Sequence, residues 1–284
     1  MSAQIDVPKY TYLKRGVYYF VMLSALILSG CKSVIPEDVQ YRAQHGSKRI
    51  ILQPVYVTDS GKSETNLAVT DFGGAVYQRT DKNCGFSGAQ SGNRDSSSAL
   101  AVIGKKNIRI TNGHFECSTQ NTIWIKRSEN VILDNITSWR GSDNAIEIRD
   151  SKYVIVKNST LGKTYGNKCI ETENSIVILY NVTMHDCPKG FAGERTSPKN
   201  PELVLIINST ISLRPDNKNY DFVCDSRVKA AYGHIAVVGT TRASKNINCS
   251  LKRSVPNGLI AALERDDIAE IRKILEPLYD NLKN

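Results

Sequence analysis

The chain has 284 residues, a formal net charge of +9 at pH 7 and seven cysteines, none in a C-x-x-C or mixed Cys/His spacing. That spacing gives no zinc site. The basic balance favours acidic partners, and with no aromatic-interleaved RNA or DNA motif the expected partner is not nucleic acid. No phosphate-binding loop, dinucleotide fingerprint, H-E-x-x-H or nucleophile elbow is present.

Residues 1–30 read as a processing segment. Lys9, Lys14 and Arg15 form a positive start, 17–28 is a short apolar run, and Leu28-Ser29-Gly30-Cys31 follows. The run is too short to cross a bilayer comfortably. The final phrase resembles a bacterial lipobox, in which the cysteine is acylated and becomes residue one. That resemblance implies lipidation at Cys31 and a membrane-anchored envelope protein. Lys32, in place of Asp after the cysteine, implies outer-membrane delivery. Residues 31–49 read as a polar tether.

Segments 50–58 and 68–78 read as opening strands, and the Gly-, Ser- and Asn-rich stretch 81–98 as a long loop. From about residue 100 to 248 one phrase recurs. Asn112, Asn135, Asn158 and Asn181 follow at 135 − 112 = 158 − 135 = 181 − 158 = 23 residues, and Asn208 at 208 − 181 = 27. Each Asn ends a β-branched run such as Val131–Leu133 or Val154–Val156, and short second and third strands follow. A fixed period of this kind marks a solenoid whose units bury their apolar faces against one another. Three strands and three turns in about 23 residues describe a coil of a parallel β-helix. The asparagines are expected in one buried column at one turn. There each amide can bond its neighbours, and Asn tolerates a left-handed backbone. From 256 onward the pattern changes. Leu259, Ile260, Leu263, Ile268, Ile271, Ile274, Leu275 and Leu278 have helical spacing, broken near Arg265–Asp267. This helical cap is expected to cover the open end of the solenoid.

The fold class is therefore an all-β solenoid, a single-stranded right-handed parallel β-helix over 50–255 with a helical cap over 256–284. The I-x-I-x-N phrases and Ser142-Asp-Asn-Ala-Ile-Glu-Ile148 resemble the pectin-lyase-like superfamily over roughly 100–248. That superfamily spans lyases, hydrolases, epimerases and noncatalytic surface proteins, so the resemblance implies the fold more than the reaction. In its enzymes sugar binds outside one strand column, walled by long loops.

Here the long loops are expected at 139–144, 162–168, 185–200 and 213–233. The outward positions beside them are Trp124, Glu147 and Glu171, with Glu194 as the continuation. Coils about 4.8 Å apart would bring these carboxylates together. Glu147, Glu171, Asp143 and Glu194 could then hold Ca²⁺. Lys168, Arg195, Arg149 and His185 are the candidate catalytic groups for neutralising or deprotonating a uronate. Trp139, Lys163, Tyr165, Lys189 and Lys199 are the candidate sugar contacts. His114 is assigned to the surface, and His234 opens a strand. The phrase Ser142–Ile146 only loosely resembles the polygalacturonase G-D-D-A-I, with Asn144 in place of its second Asp, so β-elimination ranks above hydrolysis. The six cysteines after Cys31 are expected to pair along the coil axis as Cys84–Cys117, Cys169–Cys187 and Cys224–Cys249. The functional expectation is binding, with or without cleavage, of an acidic polysaccharide. The alternative is a noncatalytic structural or interaction lipoprotein, or a site that reads another anionic envelope component.

Overall fold

The computed structural model of the protein describes residues 48–51, 53–79, 94–194, 201–213, 222–224, 233–238, 242–243, 247–248, 251–252 and 255–283. The expected signal segment, Cys31, most of the tether, Arg195, Lys199, Cys84, Cys249 and most of the 81–98 loop lie outside them. So do the side chains of Glu194 and His234.

The described strands form three parallel sheets of eight strands each. The chain visits sheets A, B and C in turn. One coil comprises Thr137–Trp139 in sheet A, Ile146–Arg149 in sheet B and Lys152–Lys157 in sheet C. The next coil repeats this with Thr160–Gly162, Lys168–Glu173 and Ile176–Tyr180. The result is the expected right-handed parallel β-helix. Alternate residues point inward. Val131, Val154, Val177 and Val204 stack in sheet C, Ile123, Ile146, Ile170 and Phe191 in sheet B, and Phe115, Leu161, Met184 and Ile211 in sheet A, all in one buried cluster. Each such side chain contributes roughly 1.5–3 kcal/mol of burial.

All three corners use left-handed residues. After sheet C these are Asn112, Asn135, Asn158, Asn181 and Asn208, with φ between 48° and 55°. After sheet B they are Gly104, Arg127, Asp150 and Asn174, and after sheet A Cys117, Arg140, Lys163 and Asp186. The predicted asparagine column thus exists, but it is not buried. Asn135, Asn158 and Asn181 are exposed. Their amides bond outside the coil: Asn135 Nδ2 donates to Asn112 Oδ1 at 2.7 Å and Asn181 Nδ2 to Asn158 Oδ1 at 3.2 Å. The left-handed backbone, not burial, selects Asn there.

The buried polar ladder at the same corner is made of serines. Ser159 Oγ accepts from Ile136 N at 3.0 Å and donates to Lys157 O, and Ser209 Oγ does the same for Val182 N and Ile207 O. Ser128, Ser151 and Ser175 repeat the device at the corner after sheet B.

A short helix, α1 (Arg94–Ser97), lies against sheet B. Two more, α2 (Leu259–Glu264) and α3 (Ile268–Asn281), form the helical C-terminal segment. They lie along the side of the solenoid, not over its end. Leu259, Leu263, Ile268, Ile271 and Leu275 pack on Ile132, Ile155, Ile178 and Leu205 of the outer sheet C face. This outward column is apolar for that reason, whereas a solvent-facing one would be polar. At the α2–α3 turn Asp266 is clamped by Lys157 Nζ and by Arg109 Nη1 at 2.9 Å. No helix among the described residues is long and apolar enough to cross a membrane.

Cys169 and Cys187 form a disulfide, as expected. Cys117 is also disulfide-bonded, to a partner outside the described residues.

Candidate functional site

The expected groove between sheet B and tall loops does not form among the described residues. Residues 183–187 and 189–194 are strands, and only Pro188 separates them. The other turns stack instead of projecting. Tyr165 N donates to Gly141 O, Asn167 N to Asp143 O and Lys189 N to Asn167 O, each at 3.0–3.2 Å. A Cβ on Gly166 would come within 2.3 Å of Ser142 O, so the turns touch backbone to backbone. The short connection at Pro188 also moves Glu194. The coil there is only 189 − 168 = 21 residues, and Glu171 pairs in register with Ala192 while Glu194 pairs with Glu173.

Trp124, Glu147 and Glu171 do share the outer column of sheet B. They are not a solvated face, however. Trp124 is 1% exposed, with its indole N–H on Asp95 Oδ1 at 2.7 Å, and Glu147 is 0% exposed. The cation between the carboxylates is a guanidinium. Arg149 bonds Glu147, reaches Glu171 Oε1 at 3.3 Å and Glu173 Oε2 at 3.0 Å, and stacks over Trp124. Arg94 reaches Glu147 Oε1 from α1 at 3.0 Å. Lys168 Nζ is 2.8 Å from Glu171 Oε2.

Asn121 and Asn144 stand behind the carboxylates. Asn144 Nδ2 donates to Asn121 Oδ1 at 3.1 Å and to Glu171 Oε2 at 2.9 Å, and Asn121 Nδ2 donates to Glu147. This is the buried asparagine ladder of the fold, at the sheet A to sheet B corner. At the next rung the backbone N–H of Lys168 donates to Asn144 Oδ1 at 3.1 Å, and its ammonium goes to Glu171.

Burial, then Glu171, push the Glu147 carboxyl up to about 7. The same two causes raise Asp143. Glu171 is lowered despite its burial, because Lys168 and Asn144 favour its charged form. Lys168 and Arg149, expected to work on substrate, are thus occupied in holding a wall together. No group of three or more His, Cys, Asp or Glu that could hold a metal ion is found among the described residues.

A second cluster sits on the outer face of sheet A. Trp139, Gly162 and His185 are register neighbours on successive coils. The indole and imidazole meet edge to face at 4.7 Å, and Lys163 Nζ lies 5.2 Å from the indole centroid. His185 Nδ1 is 3.0 Å from Asp186 Oδ2. A carboxylate only accepts, so Nδ1 carries a proton and Nε2 of the neutral ring is the acceptor. A side chain at position 162 would collide with His185 O at 2.4 Å, so only glycine fits the middle rung. Trp139, Lys163, His185 and Asp186 are all partly exposed. Beside them run Thr137, Thr160, Thr183 and Thr210 in register.

Of the sequence candidates, Trp139, Lys163 and His185 come together here. Tyr165 and Lys189 are half-exposed on the stacked turns. Asp143, Glu147, Arg149, Lys168 and Glu171 form the wall on sheet B. His114, expected at the surface, is buried 3.8 Å from Glu116. Sequence reasoning noted Asp186 beside His185 without counting it among the site residues, and missed Arg94, which is distant in sequence from Glu147, the carboxylate it pairs with.

No family model matches the chain, and no curated protein matches it in sequence. Solved structures similar to it include PfbA, a surface adhesin of Streptococcus pneumoniae, at 11% identity over 76% of this chain and 77% of that one, with a TM-score of 0.35. The A-module of the mannuronan C-5 epimerase AlgE4 of Azotobacter vinelandii is similar at 7% identity over 73% and 81% of the two chains, with a TM-score of 0.32. ORF18 of Geobacillus virus E2 matches at 7% identity over 73% of this chain and 51% of that one, with a TM-score of 0.34. At these values nothing about function is transferred to this chain. The class that its own geometry defines is a parallel β-helix with a closed charged wall on one face and an open aromatic–imidazole cluster on another.

Proposed function

We propose that the protein is a lipid-anchored envelope β-helix of the pectin-lyase-like type that binds an anionic glycan on its outer sheet A face. The observation that carries this reading is the grouping of indole, ammonium and imidazole–carboxylate pair on neighbouring, partly exposed coils. Trp139 offers an apolar ring for a sugar face to pack on. The Lys163 ammonium matches a carboxylate or sulfate, and His185 Nε2 accepts from a hydroxyl. Asp186 fixes the imidazole. The chain's basic balance draws such a ligand in.

Titration calorimetry of the protein lacking residues 1–30 against polygalacturonate, alginate and a neutral dextran tests this. Binding to a uronate that weakens with salt, and falls about tenfold in Trp139→Ala and Lys163→Ala, is expected. Equal binding by wild type and both variants, or none to any polyanion, would sink it.

The His185–Asp186 pair favours one second reading, that the bound uronate also reacts. His185 Nε2 would take the C5 proton while the C4–O bond breaks, its electron pair leaving on the departing oxygen. A C4–C5 double bond would form, with Lys163 neutralising the carboxylate. New ultraviolet absorbance from an unsaturated uronate, lost in His185→Ala with binding retained, would establish turnover. Ca²⁺ added to the same assay examines whether a metal contributes. Anchoring through Cys31 predicts that labelled palmitate enters wild type but not Cys31→Ser.

A further inference from the structure

The strand that carries His185 is irregular where the disulfide meets it. Thr183–Cys187 has five residues, where Thr137–Trp139 and Thr160–Gly162 have three. Thr183, Met184 and His185 pair in register with Thr210, Ile211 and Ser212, but the next partner, Leu213, pairs with Cys187. Asp186 is the extra residue, at a positive φ of 56°. An extra residue of this kind is a β-bulge, which re-aims a side chain.

The bulge decides where Asp186 points. Alternation along this strand turns Thr183 and His185 outward and Met184 into the core. Without the extra residue, the next inward side chain would be the Asp186 carboxylate. In the structure Cys187 takes the inward place, fully buried in the core cluster. Asp186 lies outside, with Oδ2 3.0 Å from His185 Nδ1.

Cys187 is held there by its bond to Cys169, which lies in the preceding coil on the sheet B strand Lys168–Glu173. The two sulfurs also pack against the backbone of the cluster. Cys187 Sγ is 3.5 Å and Cys169 Sγ 3.8 Å from His185 O, and Cys169 Sγ is 3.6 Å from Leu161 O. The disulfide thus touches the residue before the bulge and is bonded to the residue after it.

We propose that Cys169 and Cys187 are positioning residues. Their bond locks the bulge that turns Asp186 onto His185, and so keeps the imidazole proton on Nδ1 and leaves Nε2 as the acceptor. The use of that acceptor rests on the reading that the sheet A cluster binds a glycan. A bond that only braced the coils would leave the tautomer alone.

The test is nitrogen-15 correlation NMR of the full-length protein in detergent, labelled at histidine, at about pH 8, where an imidazole is neutral. His185→Ala assigns the signal among the four histidines. Wild type should show the proton on Nδ1. Asp186→Gly keeps the positive φ, removes the carboxylate and should show the Nε2–H form that a free imidazole prefers. Cys169→Ala/Cys187→Ala, with Asp186 intact, should move the same way. Its affinity for polygalacturonate should fall about tenfold, as in Asp186→Gly. Pro188→Gly loosens the connection to the next strand, keeps the disulfide and should keep the wild-type tautomer. A wild type already in the Nε2–H form, a folded double-alanine variant with its proton still on Nδ1, or a Pro188→Gly variant that shifts to Nε2–H overturns the proposal. Pro188→Gly decides even where the double variant fails to fold. If the tautomer follows the disulfide while wild type binds no polyanion, the positioning role stands and the glycan reading falls.

Discussion

Asn158 separates two accounts of why the asparagine column exists. If buried amides held the coils together, Leu and Gly at 158 would be equally harmful, since both remove the amide. The structure makes a different statement. Asn158 is exposed with φ of 49°, and its side chain makes two lateral bonds, donating to Asp134 Oδ1 at 2.9 Å and accepting from Asn181 Nδ2 at 3.2 Å. Two solvent-exposed bonds are worth about 0.5 kcal/mol each, at the low end of the usual range. A left-handed Leu costs roughly 1–2 kcal/mol more, which Gly avoids. Asn158→Leu should therefore lose about 2–3 kcal/mol and Asn158→Gly about 1 kcal/mol. The neighbouring Ser159→Ala, though it deletes one atom, should lose about 1–3 kcal/mol, because Ile136 N is then buried without its acceptor. Urea unfolding at constant m-value reads all three as midpoint shifts. Equal losses for Leu and Gly at 158, or a silent Ser159→Ala, would refute the reasoning.

Two further outcomes follow from the charged groups. Glu147 has a folded pKa of about 7 against an ordinary 4.5, so the folded state holds a proton that the unfolded state releases between those values. Its contribution is present below pH 4.5 and lost as pH rises through 7, by up to roughly 3 kcal/mol. Thermal melts should show wild type more stable at pH 5 than at pH 8, and Glu147→Gln should remove most of that difference; an unchanged pH slope in the variant would contradict the assignment. At the helical segment, Asp266→Ala leaves the nearly buried Lys157 without its nearest carboxylate, at a cost of about 3 kcal/mol. Hydrogen exchange should then rise in α2 and α3 while the sheet C strands stay protected, and uniform loss of protection would show that the helices are not a separate cooperative unit.

The repeat was legible because its signal is redundant. Five asparagines in phase and a β-branched run before each fix the coil length and the inward positions of sheet C. The corner assignment was less so, for a physical reason. Asn is favoured both by a left-handed backbone and by a buried amide ladder, and sequence does not separate the two. The buried amides, Asn121 and Asn144, are only two rungs long before Lys168 takes over, too few to stand out as a period. The corners after sheets A and B hold Arg127, Arg140 and Lys163 at positive φ, residue types that carry no signal for that conformation. Glu147 and Glu171 were found as a pair because their separation, 171 − 147 = 24, is close to one coil. What closes over Glu147 was not, because Arg94 precedes it by 147 − 94 = 53 residues, more than two coils.

Among the described residues, the outer surfaces of the three sheets differ in how their polar and apolar groups are met, and that difference locates the site. Sheet C carries Ile132, Ile155, Ile178 and Leu205 outward, and α2 and α3 cover them. Sheet B carries carboxylates outward, and arginines, a lysine and two amides neutralise them on the spot. On these two faces the outward apolar column and the outward carboxylates are thus already met by partners within the fold. Sheet A carries threonines, an indole and an imidazole, with Thr183 and Thr210 exposed and Trp139 and His185 partly so. These groups keep hydrogen-bonding and stacking capacity that the fold does not need for its own stability. Gly162 points the same way. Its replacement would be costly, and any larger residue there would also push against Trp139 and His185, which meet over it, so the requirement that shapes the coil is the one that lets the cluster form.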